Sequence, residues 1–256
     1  MKKIKNNLRI FHIFFCSIGF NFKKMLNIFF IFKYFKNLIE FKFKGGRINK
    51  FFPILGEHTE NSGNFDKQYF LQDIIVAQYI YKNNPSKHVD FGSRIDGFVA
   101  NVASFRKIEV FDIRDNHINI ENIKFHRLDL TKINNSFHDY ADSLSCLHTL
   151  EHIGLGRYGD NIDPDGYKLA FKNLLKILKN NGTLYLSFPI SNLRKVYFNS
   201  ERVFNPFEIL NLGHNIKLER FDIINDNGEV NLNFDINNLK NKNFIYSCGI
   251  YTFRKI

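Results

Sequence analysis

The spacing of hydrophobic residues changes along this chain, and each change marks an element. Between residues 69 and 81 the apolar positions Phe70, Ile74, Ile75, Ala77 and Ile80 recur at helical spacing, and Asn83-Asn84-Pro85 closes the segment. Short apolar runs at 88–91, 108–113, 123–130, 143–147 and 183–189 read as strands. Small residues from Gly97 onward suit a helix over 97–105 that lies close on a sheet. A further helix begins at Asp163-Pro164, a cap and a first-turn proline; its apolar face is Leu169, Phe171, Leu174, Leu175 and Leu178, and it stops at Asn181-Gly182. Asn205-Pro206-Phe207-Glu208 opens a short helix. The end of the chain returns to strands, over 216–224, 229–234 and 244–254, with Asp226-Asn227-Gly228 as a turn. Strands that alternate with helices, followed by strands alone, predict an α/β fold with a mostly parallel sheet and an antiparallel edge strand.

Before residue 50 the pattern differs. Aromatic and aliphatic runs such as Phe11-His12-Ile13-Phe14-Phe15 and Ile28-Phe29-Phe30-Ile31-Phe32 are punctuated by lysine. The run without Lys or Arg from Ile10 to Phe22 is shorter than the roughly 20 apolar residues a membrane span needs. No small-residue cleavage site follows, which argues against a signal peptide. Two amphipathic helices are expected, either packed on the domain or loosely ordered, or resting on an anionic membrane surface. Gly45-Gly46 marks the boundary between a basic, aromatic-rich helical extension, 1–50, and the α/β domain, 51–256. A polar, turn-rich stretch occupies 57–66.

Charge sharpens this division. The net +11 resides in the extension, which has 12 Lys and Arg against Glu40 alone; the rest of the chain has 24 basic and 24 acidic residues. A neutral domain without an N-P-P-Y-type motif makes nucleic acid an unexpected partner. Cys16, Cys146 and Cys248 are odd in number and far apart, with no CxxC spacing, so a reducing, cytoplasmic setting is expected, with peripheral contact on the inner membrane face through the extension.

Candidate chemistry centres on Val89-Asp90-Phe91-Gly92-Ser93-Arg94-Ile95-Asp96-Gly97-Phe98, a strand that hands over to a helix through a glycine turn. A dinucleotide loop wants G-x-G-x-x-G, and here those places hold Gly92, Arg94 and Gly97. An arginine at the middle position argues against a pyrophosphate. A cofactor with an ammonium and a free carboxylate suits the geometry better, with Asp90 accepting from the first and Arg94 pairing with the second. S-adenosylmethionine has both groups. Asp112 closes the next strand, 22 positions after Asp90, where an acid suits ribose hydroxyls. A small-molecule cofactor across these strand ends would meet Asp90, Gly92, Ser93, Arg94, Gly97, Asp112, Ile113, Asp129, Leu130 and Cys146, the last more a small buried hydrophobe than a nucleophile.

The run from His88 to Ala100, with Tyr69-Phe70-x-Gln72-Asp73 before it and Leu150-Glu151-His152-x-Gly154-Leu155-Gly156-Arg157-Tyr158-Gly159-Asp160 after it, resembles domain of unknown function 268 over about residues 52–230. That family is similar in outline to class I S-adenosylmethionine-dependent methyltransferases. The resemblance implies a Rossmann-like methyltransferase sheet, with Asp90 and Gly92 in the cofactor loop, Asp112 on the ribose and Asp129 beside the adenine. Arg94 and Asp96 replace the later glycines of the common D-x-G-x-G-x-G loop.

His148, Glu151 and His152 stand at i, i+3 and i+4, on one face of a helix if one begins there. They are candidates to deprotonate an acceptor, or to bind a divalent metal with Asp160 or His214 as a further ligand. The alternative is that Glu151 caps or pairs with Arg157 and the histidines bond to backbone. The segment resembles the E-x-x-E-H element of metal-dependent methyltransferases that act on hydroxyl groups, with His148 in place of the first glutamate. Arg157, Tyr158 and Asp160 are candidate contacts to a polar acceptor, unless the loop is held by its own hydrogen bonds. The expected activity is O-methylation of a sugar, glycan precursor or other small polar acceptor. The rival readings are a non-catalytic scaffold of the same fold in surface-glycan assembly and, less favoured, a nucleic-acid methyltransferase.

Overall fold

The computed structural model describes residues 11, 14–16, 18–21, 25–59, 66–117 and 119–256. They form two compact units, Met1–Phe65 and Asp66–Ile256. The earlier of the two helices expected in the extension, and most of the turn-rich stretch at 57–66, lie largely outside the described residues.

In the first unit a 3-10 turn, Asn27–Phe30, runs into helix α1, Ile31–Phe43. No residue of α1 is buried; Ile31, Tyr34 and Leu38, on one face, are partly covered. Asn27 Nδ2 donates to the Leu55 carbonyl at 3.1 Å and the Phe30 ring meets His58 edge-on at 4.7 Å, which ties the following segment back to the helix. Among the described residues, no helix is long and apolar enough to cross a membrane.

The second unit opens with α2, Lys67–Asn83, two residues earlier than the periodicity suggests because Asp66 accepts from the Gln68 and Tyr69 amides as an N-cap. Its buried face is Gln72, Asp73, Ile75, Val76, Ala77 and Ile80, whereas Phe70, expected inside, is exposed. Then come β1 (His88–Phe91), a π-helical turn over Ile95–Val99 that leads into α3 (Ala100–Ala103), β2 (Ile108–Asp112), β3 (Ile123–Arg127) and β4 (Ala141–Leu147). Helix α4, Gly166–Ile177, begins after Asp165 rather than at Asp163, and Asp163 Oδ1 is spent on the Asp165 amide. Its buried side carries Tyr167, Ala170, Phe171 and Leu174; Leu169 points outward, and Leu178 already belongs to β5, Leu178–Ile190. A small ladder joins β6 (Lys195–Tyr197) to β7 (Glu201–Val203). The chain finishes with β8 (Ile216–Ile224), β9 (Val230–Asn231) and β10 (Ser247–Lys255).

The eight-stranded sheet runs β3-β2-β1-β4-β5-β10-β8-β9. The first five strands of that order are parallel; β1, β4 and β5 at their centre are the most deeply buried, and β3 at the edge is only partly covered. The edge strand β9 is antiparallel, and β10 also runs antiparallel, inserted between β5 and β8. Alternate residues feed two cores: Val110, Tyr185 and Ile250 pack with Ile75, Val76 and Ile80 of α2, while Phe111, Leu184 and Leu186 pack with Ala170, Phe171 and Leu174 of α4. Strand order reverses at β1, where β2 lies on one side and β4 on the other. The carboxyl ends of these strands therefore frame a crevice of the kind in which open α/β sheets hold ligands.

Candidate active site

The crevice has two adjoining halves that share Gly92, Asp112, Arg114, His148, His152 and Tyr158. The narrower half, about 80 Å³, is an apolar slot of Phe91, Phe111, Ile113, Leu128 and Leu130 with Asp129 at its side. The wider half, about 480 Å³, is polar, with Tyr69, Ser93, Arg94, Asp96, Asp115 and Arg157 on its walls. Gly92 forms the floor of both. Its φ of +69° and a Cβ position only 2.6 Å from Thr149 Cγ2 leave no room for a side chain, which brings backbone to the ligand space.

The acids expected at the strand ends part ways. Asp90 is fully buried and outside both halves; it accepts from the Ser93 amide (3.0 Å), Ser93 Oγ (2.6 Å) and Ser145 Oγ (2.5 Å). Burial pushes its carboxyl up to about 6 against these hydrogen bonds. Ser145 Oγ also meets His88 Nε2 at 3.1 Å, and Ser143 Oγ meets His88 Nδ1 at 2.9 Å; burial drives this histidine down to about 3, so it is neutral. Asp90 thus anchors the turn from within instead of presenting its oxygens to an ammonium. Asp112 does face the crevice, and Arg114 holds it through Nη2 (2.7 Å), Nε (3.0 Å) and the backbone amide (2.8 Å). The Arg114 guanidinium lies 4.5 Å from the Tyr158 ring.

Arg94 turns outward to Asp96 (Nε–Oδ1 3.1 Å, Nη2–Oδ2 2.9 Å) and lies 5.5 Å from the Tyr69 ring at the rim of the wider half. Gly97 is a packing position: a Cβ there would stand 2.4 Å from Asp73 Oδ2. Burial pushes that Asp73 carboxyl up to about 7, opposed by a hydrogen bond from Gln72. Cys146 is wholly buried in the core under the sheet end.

After β4 the chain forms successive turns from Leu150 to Tyr158, not a helix, so His148, Glu151 and His152 do not share a helical face. They still come together. Glu151, with no exposed surface, sets Oε1 2.9 Å from His148 Nδ1 and 3.8 Å from His152 Nε2, while its Oε2 has no hydrogen-bond partner. The geometry is that of one carboxylate behind two imidazoles, both of which line the crevice; Glu151 does not. The metal triad is therefore unsupported: among the described residues no group of three or more His, Cys, Asp or Glu is arranged to hold an ion. Of the further ligands considered, His214 is exposed after α4 and β5, and Asp160 serves its own loop.

The two histidines have distinct settings. His148 stacks on Tyr69, ring centroids 4.4 Å apart, and its Nε2 lies 3.5 Å from Cys248 Sγ on β10. Burial disfavours its charged form, but the Cys248 sulfur and the Glu151 carboxylate outweigh burial and raise its pKa above the ordinary histidine value. His152 lies with Nδ1 2.6 Å from the Ser200 carbonyl, which makes Nδ1 the donor and leaves Nε2 for proton exchange.

The loop above them is self-supported. Asp160 Oδ2 accepts from the Gly154 (2.6 Å) and Gly156 (3.3 Å) amides, and its Oδ1 from that of Tyr158 (3.2 Å). Arg157 Nη1 reaches the Ser200 carbonyl at 3.3 Å. Arg202, in β7 and wholly buried, donates to the carbonyls of Glu151 (3.2 Å), Ile153 (2.6 Å), Asp163 (3.4 Å) and Pro164 (3.1 Å). Nothing in the sequence singles Arg202 out, because its partners are main-chain atoms some forty to fifty residues away. Arg114 leaves a trace, an arginine two places after a strand-end acid.

Comparison with known proteins agrees with this fold. A family model described as "Caenorhabditis protein of unknown function, DUF268" matches residues 99–251, which begins after the glycine turn. No curated protein matches the sequence. Among solved structures, the [4+2]-cyclase SpnF is 13% identical, with 77% of this chain and 84% of that one covered at a TM-score of 0.53. The N-methyltransferase NodS from Bradyrhizobium japonicum WM9 is 13% identical over 73% of this chain and 93% of its own, TM-score 0.50. Coclaurine N-methyltransferase, solved with N-methylheliamine and S-adenosylhomocysteine, is 10% identical over 72% and 70%, TM-score 0.50. At these identities the likeness establishes the fold, the Rossmann-like sheet of class I methyltransferases.

Proposed function

The chain belongs to the DUF268 family, and on that footing we propose that it is an S-adenosylmethionine-dependent methyltransferase that acts on a hydroxyl of a small polar acceptor, such as a sugar or glycan precursor. The observation that carries the reading is the crevice at the strand-order reversal, with an apolar slot, an acid at the end of β2 and a carboxylate-backed histidine pair in one place. The residues fit the cofactor in kind. Phe91, Ile113, Leu128 and Leu130 suit an adenine ring beside Asp129, Asp112 suits ribose hydroxyls, and the Gly92 backbone leaves the floor open. Ser93 and Arg94, on the wider half, suit the amino-acid tail. When bound, S-adenosylmethionine supplies an electrophilic methyl group.

The chain's own task is to make a hydroxyl nucleophilic. His152 is the candidate base: Nδ1–H is fixed on the Ser200 carbonyl, and Glu151, 3.8 Å from Nε2, steadies the imidazolium formed when Nε2 takes the acceptor's proton. Glu151 orients; it does not touch the crevice. His148, its pKa raised against burial by the Cys248 sulfur and the Glu151 carboxylate, lines the same crevice beside His152. Arg157 and Tyr158 border the wider half and suit polar groups of the acceptor. The acceptor class is supported by the polarity of that half and by the means to deprotonate a hydroxyl.

Calorimetry with S-adenosylmethionine is the test. Wild-type protein binds, Asp112→Ala removes binding, and His152→Gln retains binding but loses methyl transfer to pooled polar metabolites; a wild-type protein that gives no heat of binding refutes the proposal. One observation favours a non-catalytic, scaffold reading: the Asp112 carboxylate already carries a bidentate Arg114. On that reading Arg114→Ala gains no cofactor affinity. If the cofactor displaces the arginine, the same variant binds it more tightly.

A further inference from the structure

Helix α1 of the first unit carries a surface that the second unit's chemistry leaves unexplained. Along α1, Phe32, Phe35, Ile39 and Phe43 follow one another by three, four and four residues and so form a single stripe. They are 78%, 51%, 53% and 88% exposed. At the helical rotation per residue, Lys36 borders this stripe on one side and Lys42 on the other. Ile31, Tyr34 and Leu38, on the flank beyond Lys42, are partly covered, while Phe41 beside Tyr34 is 53% exposed. The stripe is therefore an outward apolar face and not an unfinished core. Phe29, Phe51 and Phe52, at 71%, 59% and 72%, add to the exposed aromatic surface. A water-facing surface rarely keeps large apolar side chains in such a row.

We propose that this face of α1 seats the protein on the surface of an anionic lipid membrane, parallel to its plane. The helix, about 20 Å long, is too short to span but suited to lie at the headgroup boundary with its stripe down and the bordering lysines against acidic headgroups. Twelve Lys and Arg against one Glu in residues 1–50 complement an anionic surface. Other occupants fit less well. A nucleic acid offers base faces for stacking but no apolar phase for Ile39, and its groove-tracking proteins intersperse isolated aromatics along a basic path. A second copy would bring two strongly positive segments together.

The chain has no tryptophan, so a single Phe35→Trp variant of the full-length protein reports its own surroundings. Its emission shifts to the blue, and is quenched by brominated acyl chains, when vesicles of phosphatidylcholine with phosphatidylserine are added. Phosphatidylcholine alone produces little change, and added salt weakens the effect. The double variant Phe32→Ser/Phe35→Ser co-sediments with the mixed vesicles at least about tenfold less, while Asn37→Ser, off the stripe, does not differ from wild type. Circular dichroism confirms that each variant is folded. Absence of vesicle binding, binding indifferent to phosphatidylserine, an unshifted indole signal on bound Phe35→Trp protein, or retention by RNA in preference to vesicles each overturns the proposal.

Discussion

Replacing Arg202 by methionine removes a charge that sits where no water can replace it. The guanidinium is the common partner of four carbonyls, those of Glu151 and Ile153 on one side and Asp163 and Pro164 on the other. Methionine fills much the same space, so packing against Tyr167, 4.9 Å from the guanidinium, changes little. The loss is in polar satisfaction. An acceptor stranded in the interior costs about 1–3 kcal/mol; the Glu151 and Asp163 carbonyls keep the Arg202 and Gly166 amides, so those of Ile153 and Pro164 are left, a penalty on the order of 2–6 kcal/mol. Relief from burying a cation offsets part of that, but the Ile153 and Pro164 carbonyls remain buried whatever replaces the arginine. For a domain of this size such a loss lowers Tm by roughly 10 °C. Urea unfolding and amide exchange check it together: the variant is destabilised by several kcal/mol, and exchange rises first over residues 150–165, the loop that sets His152 and Tyr158 on the crevice. A loss under about 1 kcal/mol with unchanged exchange in that loop refutes the claim that Arg202 organises it.

Three further outcomes follow from the crevice floor and from two buried titratable groups. Gly92→Ala must place a Cβ at φ +69° and 2.6 Å from Thr149 Cγ2, so urea unfolding records a loss of about 2 kcal/mol or more, and cofactor affinity falls with it. Asp73, pushed up to about 7 by burial, retains its proton in the folded chain at pH values where the unfolded chain has released it. The folded state then binds more protons between about pH 4 and 7, and stability falls as pH rises across that window; Asp73→Asn flattens the decline in urea midpoints measured from pH 4 to 7. His148 acts in the same direction at higher pH, since its raised pKa contributes stability that is complete below about 6.5 and lost as pH climbs through the folded value.

The strands and the parallel core were legible because their cause is local. Short runs rich in β-branched and aromatic residues mark the strands, and β1, β8 and the first residues of β2, β3 and α3 lie close to where periodicity placed them. The mistakes share one origin, side chains whose orientation is set by distant partners. Phe70 fits a helical face by spacing, yet Gln72 and Asp73 take the interior because Ser187 Oγ and Cys248 Sγ meet Gln72 there, from strands more than a hundred residues on. His148, Glu151 and His152 were found by a helical spacing that the chain does not adopt; they converge because a turn folds them back and Arg202 holds it. Asp90 stands out in the sequence as the acid of the turn, but its setting of three donors and no solvent decides that it braces the turn.

That last distinction bears on what the chain can still do with so irregular a glycine loop. In a loop of repeated glycines, backbone alone shapes the floor. Here Gly92 alone lacks room for a side chain at the floor, and Asp90 substitutes for the missing flexibility by gripping Ser93 and Ser145, so that the turn is held by side-chain hydrogen bonds rather than by permissive backbone. The replacements at Arg94 and Asp96 then fall outside the floor, paired to each other on the rim. A ligand in the narrow slot meets Gly92, Asp112 and the apolar ends of β2 and the segment after β3, and it meets neither replacement. The departure from the common loop therefore alters the entrance of the wider half and leaves the lining of the narrow slot unchanged.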